Sequence, residues 1–418
     1  MKKVVSNSIL EKLFFMAGLT AGMTCIGFYS DNGGVTLFTF VQFLLVLAGL
    51  FLKQPIIKED RIKSAFFIFV VCIFVSTSVG AFRLPEIYQK KCISELISYA
   101  IGMTSFYLLY NEDDLREYGF HFIKGIKINF VVQIVWSIMQ FITGNFMGFS
   151  LNYQVGLYMP KQLPITEVSG LTWERAELSL VLVVGYILFR ENTILRFLAL
   201  VCLIMTGSRT ALIMSVVLVV FSIDFKRLFQ NKNGKGINIT NSMILLVVVV
   251  VISLFWNNLY EVFDATYTSL INYRYNASGM GHLNLYKYFP VIIENLSLVD
   301  WLIGFGSGCS GLPYSLYAGR NVGLVWSVES TILAFFFSYG IVGFSAWLVW
   351  MFNCSRKCKK NGKKEIAKLY YIVLIGSVFY ALLSNWGLTV LIVLADAQLN
   401  INTNTDGGLR NKNEKCYQ

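Results

Sequence analysis

Residues 64–82 read Ser-Ala-Phe-Phe-Ile-Phe-Val-Val-Cys-Ile-Phe-Val-Ser-Thr-Ser-Val-Gly-Ala-Phe, without one charged side chain. A helix rises about 1.5 Å per residue, so a run of this length crosses a bilayer core of roughly 30 Å. Both of its faces are apolar, whereas a barrel strand alternates residue by residue. The stretch predicts a membrane-spanning helix. Similar apolar runs of about 17–20 residues recur along the chain.

Outward from that run, the same reading places helices near 13–30, 35–52, 93–110, 127–144, 173–189, 193–207, 210–224, 241–257, 329–352, 367–384 and 387–398. The expected fold is an all-α polytopic membrane protein of about 12 transmembrane helices. It forms a single integral membrane domain over 1–418, with a large outer loop at about 258–328. Composition agrees: of 418 residues, 56% are hydrophobic and 14% charged, against about 25% charged in soluble chains. Mean hydropathy is +0.60. Met1-Lys2-Lys3 before the apolar run from Leu13 resembles a signal peptide. No small-residue cleavage site follows, so it reads as an uncleaved first helix.

The net charge of +11 would suggest nucleic acid in a soluble protein. Here the basic residues lie between apolar runs, and no nucleic-acid partner is expected. With the N-terminus inside, the inner segments hold Lys53, Lys58, Arg61 and Lys63, then Arg190 and Arg196, then Arg356, Lys357, Lys359, Lys360, Lys363 and Lys364. That is the positive-inside bias of a multi-pass plasma-membrane protein with both termini cytoplasmic. The connection carrying Arg83, Lys90 and Lys91 is the exception. Most of the eight cysteines lie inside apolar runs, where cysteine is a small hydrophobe. Cys354 and Cys358 lack partners at metal-binding spacing. No metal and no cofactor is expected.

Ionisable residues at membrane depth are costly and mark function by default. Four regions qualify: Arg209 in Thr206-Gly207-Ser208-Arg209-Thr210-Ala211-Leu212, Arg175 between Glu174 and Glu177, Glu329 before Ser330-Thr331, and Glu95. All lie towards the outer face in this topology. Each has a plainer reading. Arg209 snorkels at a helix end, Arg175 pairs locally, Glu329 complements a helix dipole, and Glu95 is a solvated helix-end charge. In the large outer loop stand Arg274, His282 and the turn Gly304-Phe305-Gly306-Ser307-Gly308. Alternating glycines let backbone approach a ligand, or simply make a flexible turn. His282 reads equally as a surface or structural residue. Arginine suits phosphate, because its planar fork makes paired charge-assisted bonds and stays ionised.

At these residues the chain resembles the O-antigen and capsule repeat-unit polymerases, and the related O-antigen ligases, of bacterial envelopes. Three pieces carry the likeness. They are the Thr206–Leu212 hairpin, the outer loop from Arg274 to the Gly304–Gly308 turn, and Glu329-Ser330-Thr331-Ile332-Leu333 leading to Tyr339-Gly340-Ile341-Val342-Gly343-Phe344. The resemblance implies a C-type glycosyltransferase architecture. Such enzymes join oligosaccharide units carried on undecaprenyl diphosphate, using neither metal nor nucleotide sugar. Membrane lipid, a flippase and chain-length regulators are the implied partners. Family arginines that bind the diphosphate match Arg209 and Arg274, and Arg175 matches a further one. Ligases carry a histidine where this chain has Ser327-Val328-Glu329, a departure that favours a polymerase and makes Glu329 the candidate base. His282 and the three turn glycines join the candidate substrate-binding set. An O-antigen-ligase-like glycan transferase and an envelope-lipid transporter, or flippase, are the competing readings.

Overall fold

The apolar run at 64–82 folds as a helix, Arg61–Arg83, in the computed structural model of the chain. The structure describes residues 2–30, 33–52, 61–84, 86, 89, 92, 102–143, 168–172, 175–222, 277–317, 328, 330–380 and 382–397. In chain order these form α1 (Lys2–Thr20), β1 (Gly27–Ser30), β2 (Gly33–Thr36), α2 (Leu37–Leu52), α3 (Arg61–Arg83), α4 (Ser105–Leu109) and α5 (Glu112–Thr143). There follow α6 (Arg175–Leu188), α7 (Thr193–Met205), α8 (Arg209–Ser222), α9 (Ala277–Asn295), α10 (Leu298–Ile303) and α11 (Leu312–Tyr317). The last are α12 (Thr331–Lys360), α13 (Lys364–Phe379) and α14 (Asn385–Asp396).

The chain is mostly helical, but the expected number of spans is not met. Among the described residues, three helices are long and apolar enough to cross a membrane: Ser64–Arg83, Glu112–Thr143 and Thr331–Lys360. The apolar helices α2, α7, α8 and α14 are shorter. A 13-residue helix such as α7 covers only about 20 Å. The expected helix at 241–257 lies outside the described residues, as does the first half of that at 93–110. The first expected helix is also cut short. Past Thr20 the chain makes an antiparallel hairpin with Gly27 opposite Thr36, where Gly27, Gly33 and Gly34 weaken helix and Val35 and Thr36 favour strand.

The distribution of polarity is that of a protein solvated by lipid. Phe40, Phe43, Phe51, Phe67, Phe74 and Phe82 are exposed along α2 and α3, while Gln42, Asn129, Gln133, Gln140 and Asn385 are buried. Carboxamides inside and phenylalanines outside invert the soluble pattern. The buried amides are used. Asn385 Nδ2 donates to Gln42 Oε1 at 2.7 Å and Gln42 Nε2 to Thr389 Oγ1 at 3.0 Å, which ties α14 to α2. Gly18 and Gly125 let α1 and α5 cross closely. A Cβ on Gly18 would lie 1.9 Å from the Phe122 carbonyl oxygen, so small residues set this spacing.

One end of the bundle is locked by charge. Lys357 near the end of α12 bridges Glu112 at the start of α5 and Asp396 at the end of α14, the latter at 2.6 Å. Lys363 Nζ donates to the carbonyls of Ala395 and Ala397 at 3.3 and 2.5 Å, satisfying acceptors that a helix end leaves open. Lys357 is only 15% exposed, so its removal leaves two carboxylates facing one another. Lys357→Met is expected to cost about 2–3 kcal/mol, read as a lower melting temperature in detergent. The additional changes Glu112→Gln and Asp396→Asn should recover most of it.

Helix α12 is broken at Gly340, whose φ of 64° and ψ of −176° are non-helical. The break leaves the carbonyls of Phe337 and Ser338 facing outward from the ladder. The turn between α10 and α11 meets them: Phe305 N donates to Phe337 O and Gly306 N to Ser338 O, both at 2.9 Å. Ser76 of α3 donates its hydroxyl to Ser338 O as well. The fit is backbone on backbone. A Cβ on Gly340 would sit 2.2 Å from Leu302 O, and one on Gly80 would sit 2.4 Å from Phe305 O. Gly340→Ala therefore combines a disfavoured φ with a collision. It is expected to cost about 2–3 kcal/mol, visible as a fall of several degrees in the melting temperature.

Candidate active site

The Thr206–Leu212 hairpin is built as a helix stop and a helix start. Thr206 N donates to Cys202 O at 3.1 Å and Thr206 Oγ1 to Leu203 O at 2.7 Å. Gly207 then takes a φ of 59°, the left-handed conformation in which helices commonly end. Ser208 O accepts the first bond of α8 from Leu212 N at 3.0 Å. Arg209 is thus the first residue of α8, and Arg175 lies in the first described turn of α6. Helix N-termini carry partial positive charge and disfavour cations. Arginine at a helix N-terminus serves the helix poorly, while a guanidinium beside a helix N-terminus suits an anion.

The two helix starts lie at the same end. One turn into each helix, Ser179 Oγ of α6 meets Met214 Sδ of α8 at 3.7 Å. The chain before Arg175 closes onto the end of α7 through Val168 N to Met205 O at 3.1 Å. The position after Glu329 comes to this end too. Ser330 caps α12, accepting from Leu333 N at 3.4 Å, and its hydroxyl donates to Ser377 O at 3.2 Å. Thr331 N donates to Tyr380 O at 3.1 Å just past α13, and α13 runs beside α8 at Gly376 and Met214. On the other side of Glu329, Val328 N donates to Ser310 Oγ at 3.1 Å.

The segment 168–172 is irregular backbone, yet each of its amides has an acceptor. Gln140 Oε1 of α5 accepts from Ser169 N at 3.0 Å and from Gly170 N at 2.8 Å. Gln140 Nε2 returns a bond to Gly170 O at 2.9 Å. Gln133 Oε1 accepts from Leu171 N at 2.7 Å, and Thr172 N bonds Ser169 O at 3.1 Å. Thr24, beyond α1, donates to Glu177 at 2.6 Å. Arg175, three residues past this segment, is half-buried. The glutamines hold this segment in place, and the sequence reading missed them. Their signal is there to be read: Asn129, Gln133, Ser137 and Gln140 repeat at helical spacing and form one polar stripe along α5.

The outer-loop candidates divide. Gly304, Gly306 and Gly308 have φ values of 84°, 99° and 73°. Ser307 N and Oγ meet Thr77 Oγ1 at 3.1 and 3.0 Å, and Ser307 Oγ meets the Tyr339 hydroxyl at 3.1 Å. This turn is wedged between α3 and the broken α12, and that packing requires glycine at 304 and 306 without any ligand. Nearby, Tyr314 donates to Leu285 O at 2.8 Å. Burial, with Tyr286 adding to it, pushes the Tyr314 hydroxyl well above the ordinary tyrosine range, so it remains a donor. His282 belongs to α9, but its side chain lies outside the described residues. So do the side chain of Arg209 and the whole of Arg274, Glu329, Glu95 and Glu174. A cavity of about 680 Å³, lined by Lys127, Phe189, Arg190 and Lys364, opens at the opposite end. Among the described residues, no cluster of His, Cys, Asp and Glu is arranged to hold a metal. Compared with known proteins, the chain matches no family model and no curated relative.

Proposed function

We propose that the chain is a membrane glycosyltransferase that polymerises undecaprenyl-diphosphate-linked oligosaccharide repeat units at the outer face of the plasma membrane. One arrangement carries the reading: Arg175 in the first described turn of α6 and Arg209 at the start of α8 lie at the same end of the bundle, about one turn from the contact between Ser179 and Met214. In the proposed reaction, Arg209 and Arg274 grip the donor diphosphate, with Arg175 adding charge. Glu329 takes the proton of an acceptor sugar hydroxyl, that hydroxyl attacks the anomeric carbon, and the lipid diphosphate leaves. A single displacement of this kind inverts the anomeric centre. A positioned base contributes about 10²–10⁴-fold, and the cations offset charge developing on the leaving group. The sequence gap where ligases carry histidine favours polymerase over ligase.

A transporter would place its ionisable residues near the middle of the bilayer, where alternating access operates. The two arginines at one end of the bundle speak for the enzyme. Deleting the protein tests the reading. A surface glycan reduced to a single repeat unit is the expected result. Loss of even that unit from the surface would point to transport, and unchanged long chains would overturn both.

A further inference from the structure

Cys92 and Cys309 are 217 positions apart, and their Sγ atoms lie 3.2 Å from one another. Both are fully buried, in an apolar cluster with Leu84, Phe305 and Leu312. The segments that carry them are already fastened together. Arg83 at the end of α3 pairs with Asp300 in α10 and lies over the Phe305 ring at 5.8 Å. Thr77 and Ser307 share two hydrogen bonds. A Cβ on Gly306 would lie 3.1 Å from Cys92 Sγ, so the turn is closed down onto this thiol. Bringing the sulfurs to the bond length of about 2.05 Å needs a movement of about 1 Å, within the reach of side-chain rotation. Cys354 and Cys358, by contrast, lie at the opposite end, where α12 carries Lys357.

We propose that Cys92 and Cys309 are joined by a disulfide in the mature protein, a covalent staple between the segment that follows α3 and the residue just past the glycine turn. The proposal rests on the orientation adopted above, in which both segments face the outside, where disulfides form and persist. The oxidant is the disulfide of a thiol–disulfide oxidoreductase. One thiolate attacks it, forming a mixed disulfide and releasing the first oxidant thiolate. The second cysteine thiolate then attacks the mixed disulfide and releases the other. Two protein thiols become one disulfide, and the two electrons and two protons end on the oxidant's dithiol. The staple ties the segment after α3 to the end of the glycine turn, and so fixes the wedge that props the broken α12.

The test is peptide mapping of the full-length protein. Cells are quenched with N-ethylmaleimide, the protein is denatured, and digests are compared before and after reduction. A Cys92–Cys309 linked peptide in most of the molecules, abolished by reduction and absent from Cys92→Ser and Cys309→Ser, is the expected result. Both cysteines carrying maleimide before reduction, with no linked peptide, would overturn the proposal. Copper–phenanthroline treatment of opened membranes then says which premise failed. Thiols that link under it place the fault in the orientation, and thiols that stay apart place it in the pairing.

Discussion

Cells carrying Arg209→Ala, with the protein at its normal level, are expected to show glycan of one or a few repeat units in place of long chains. The argument starts from cost. Arginine at the first position of α8 faces the positive end of the helix dipole. The helix itself would be served better by a neutral or acidic residue there, so α8 should still form in the variant. What the variant loses, on the proposed reading, is a cation that meets the leaving diphosphate. Removing one such donor lowers rates by about 10²–10³-fold. Arg209→Lys keeps charge but not the planar fork, so its rate should fall between the two. Length profiles of surface polysaccharide on gels read the series. Long chains of normal abundance in the alanine variant would remove Arg209 from the mechanism.

Gln140→Leu is expected to be strongly destabilising although it removes no charge. The substitution is close in size and suits an apolar helix, so an apolar-packing argument alone would predict little change. Yet Gln140 accepts the amides of Ser169 and Gly170 and donates to the Gly170 carbonyl. Each buried polar group left without a partner costs about 1–3 kcal/mol, so a total of about 3–5 kcal/mol is expected. Gln140→Glu keeps the acceptor oxygen and should be milder. Because the segment 168–172 leads directly to Arg175, Gln140→Leu should also shorten the surface glycan in whatever protein survives. A melting temperature equal to that of the unaltered protein would show that water or other groups replace the lost bonds.

The helix at 64–82 was legible because nothing in it argues for another state. The stop at Gly207 was legible because glycine stands between two short apolar runs. What misled the count of spans was apolarity itself, which continues through turns. Thr20 to Gly27 stays apolar enough to read as helix, while the glycines past it turn the chain into a hairpin. Of the candidate site, the arginines could be named, because charge in an apolar context is conspicuous. The glutamines could not be weighted, since a carboxamide carries no charge and its worth depends on a segment roughly thirty residues away along the chain. The glycine turn was conspicuous too, but its partner at Gly340 was not. A close approach between two backbones leaves no mark in either local pattern.

The order in which the chain is made bears on its two irregular stretches. Gln133, Gln140 and Ser76 precede the groups they serve, and so do the amides of Phe305 and Gly306 that meet α12. Synthesis is vectorial, with early segments settling first. A ribosome feeding this chain into lipid therefore delivers most of the needed partners before the bare peptide groups arrive. Val168 must wait for Met205, and the amides of Phe305 and Gly306 for the carbonyls of α12. Moving α5 to the C-terminal end by circular permutation would reverse that schedule and leave 168–172 without cover while the rest is being inserted.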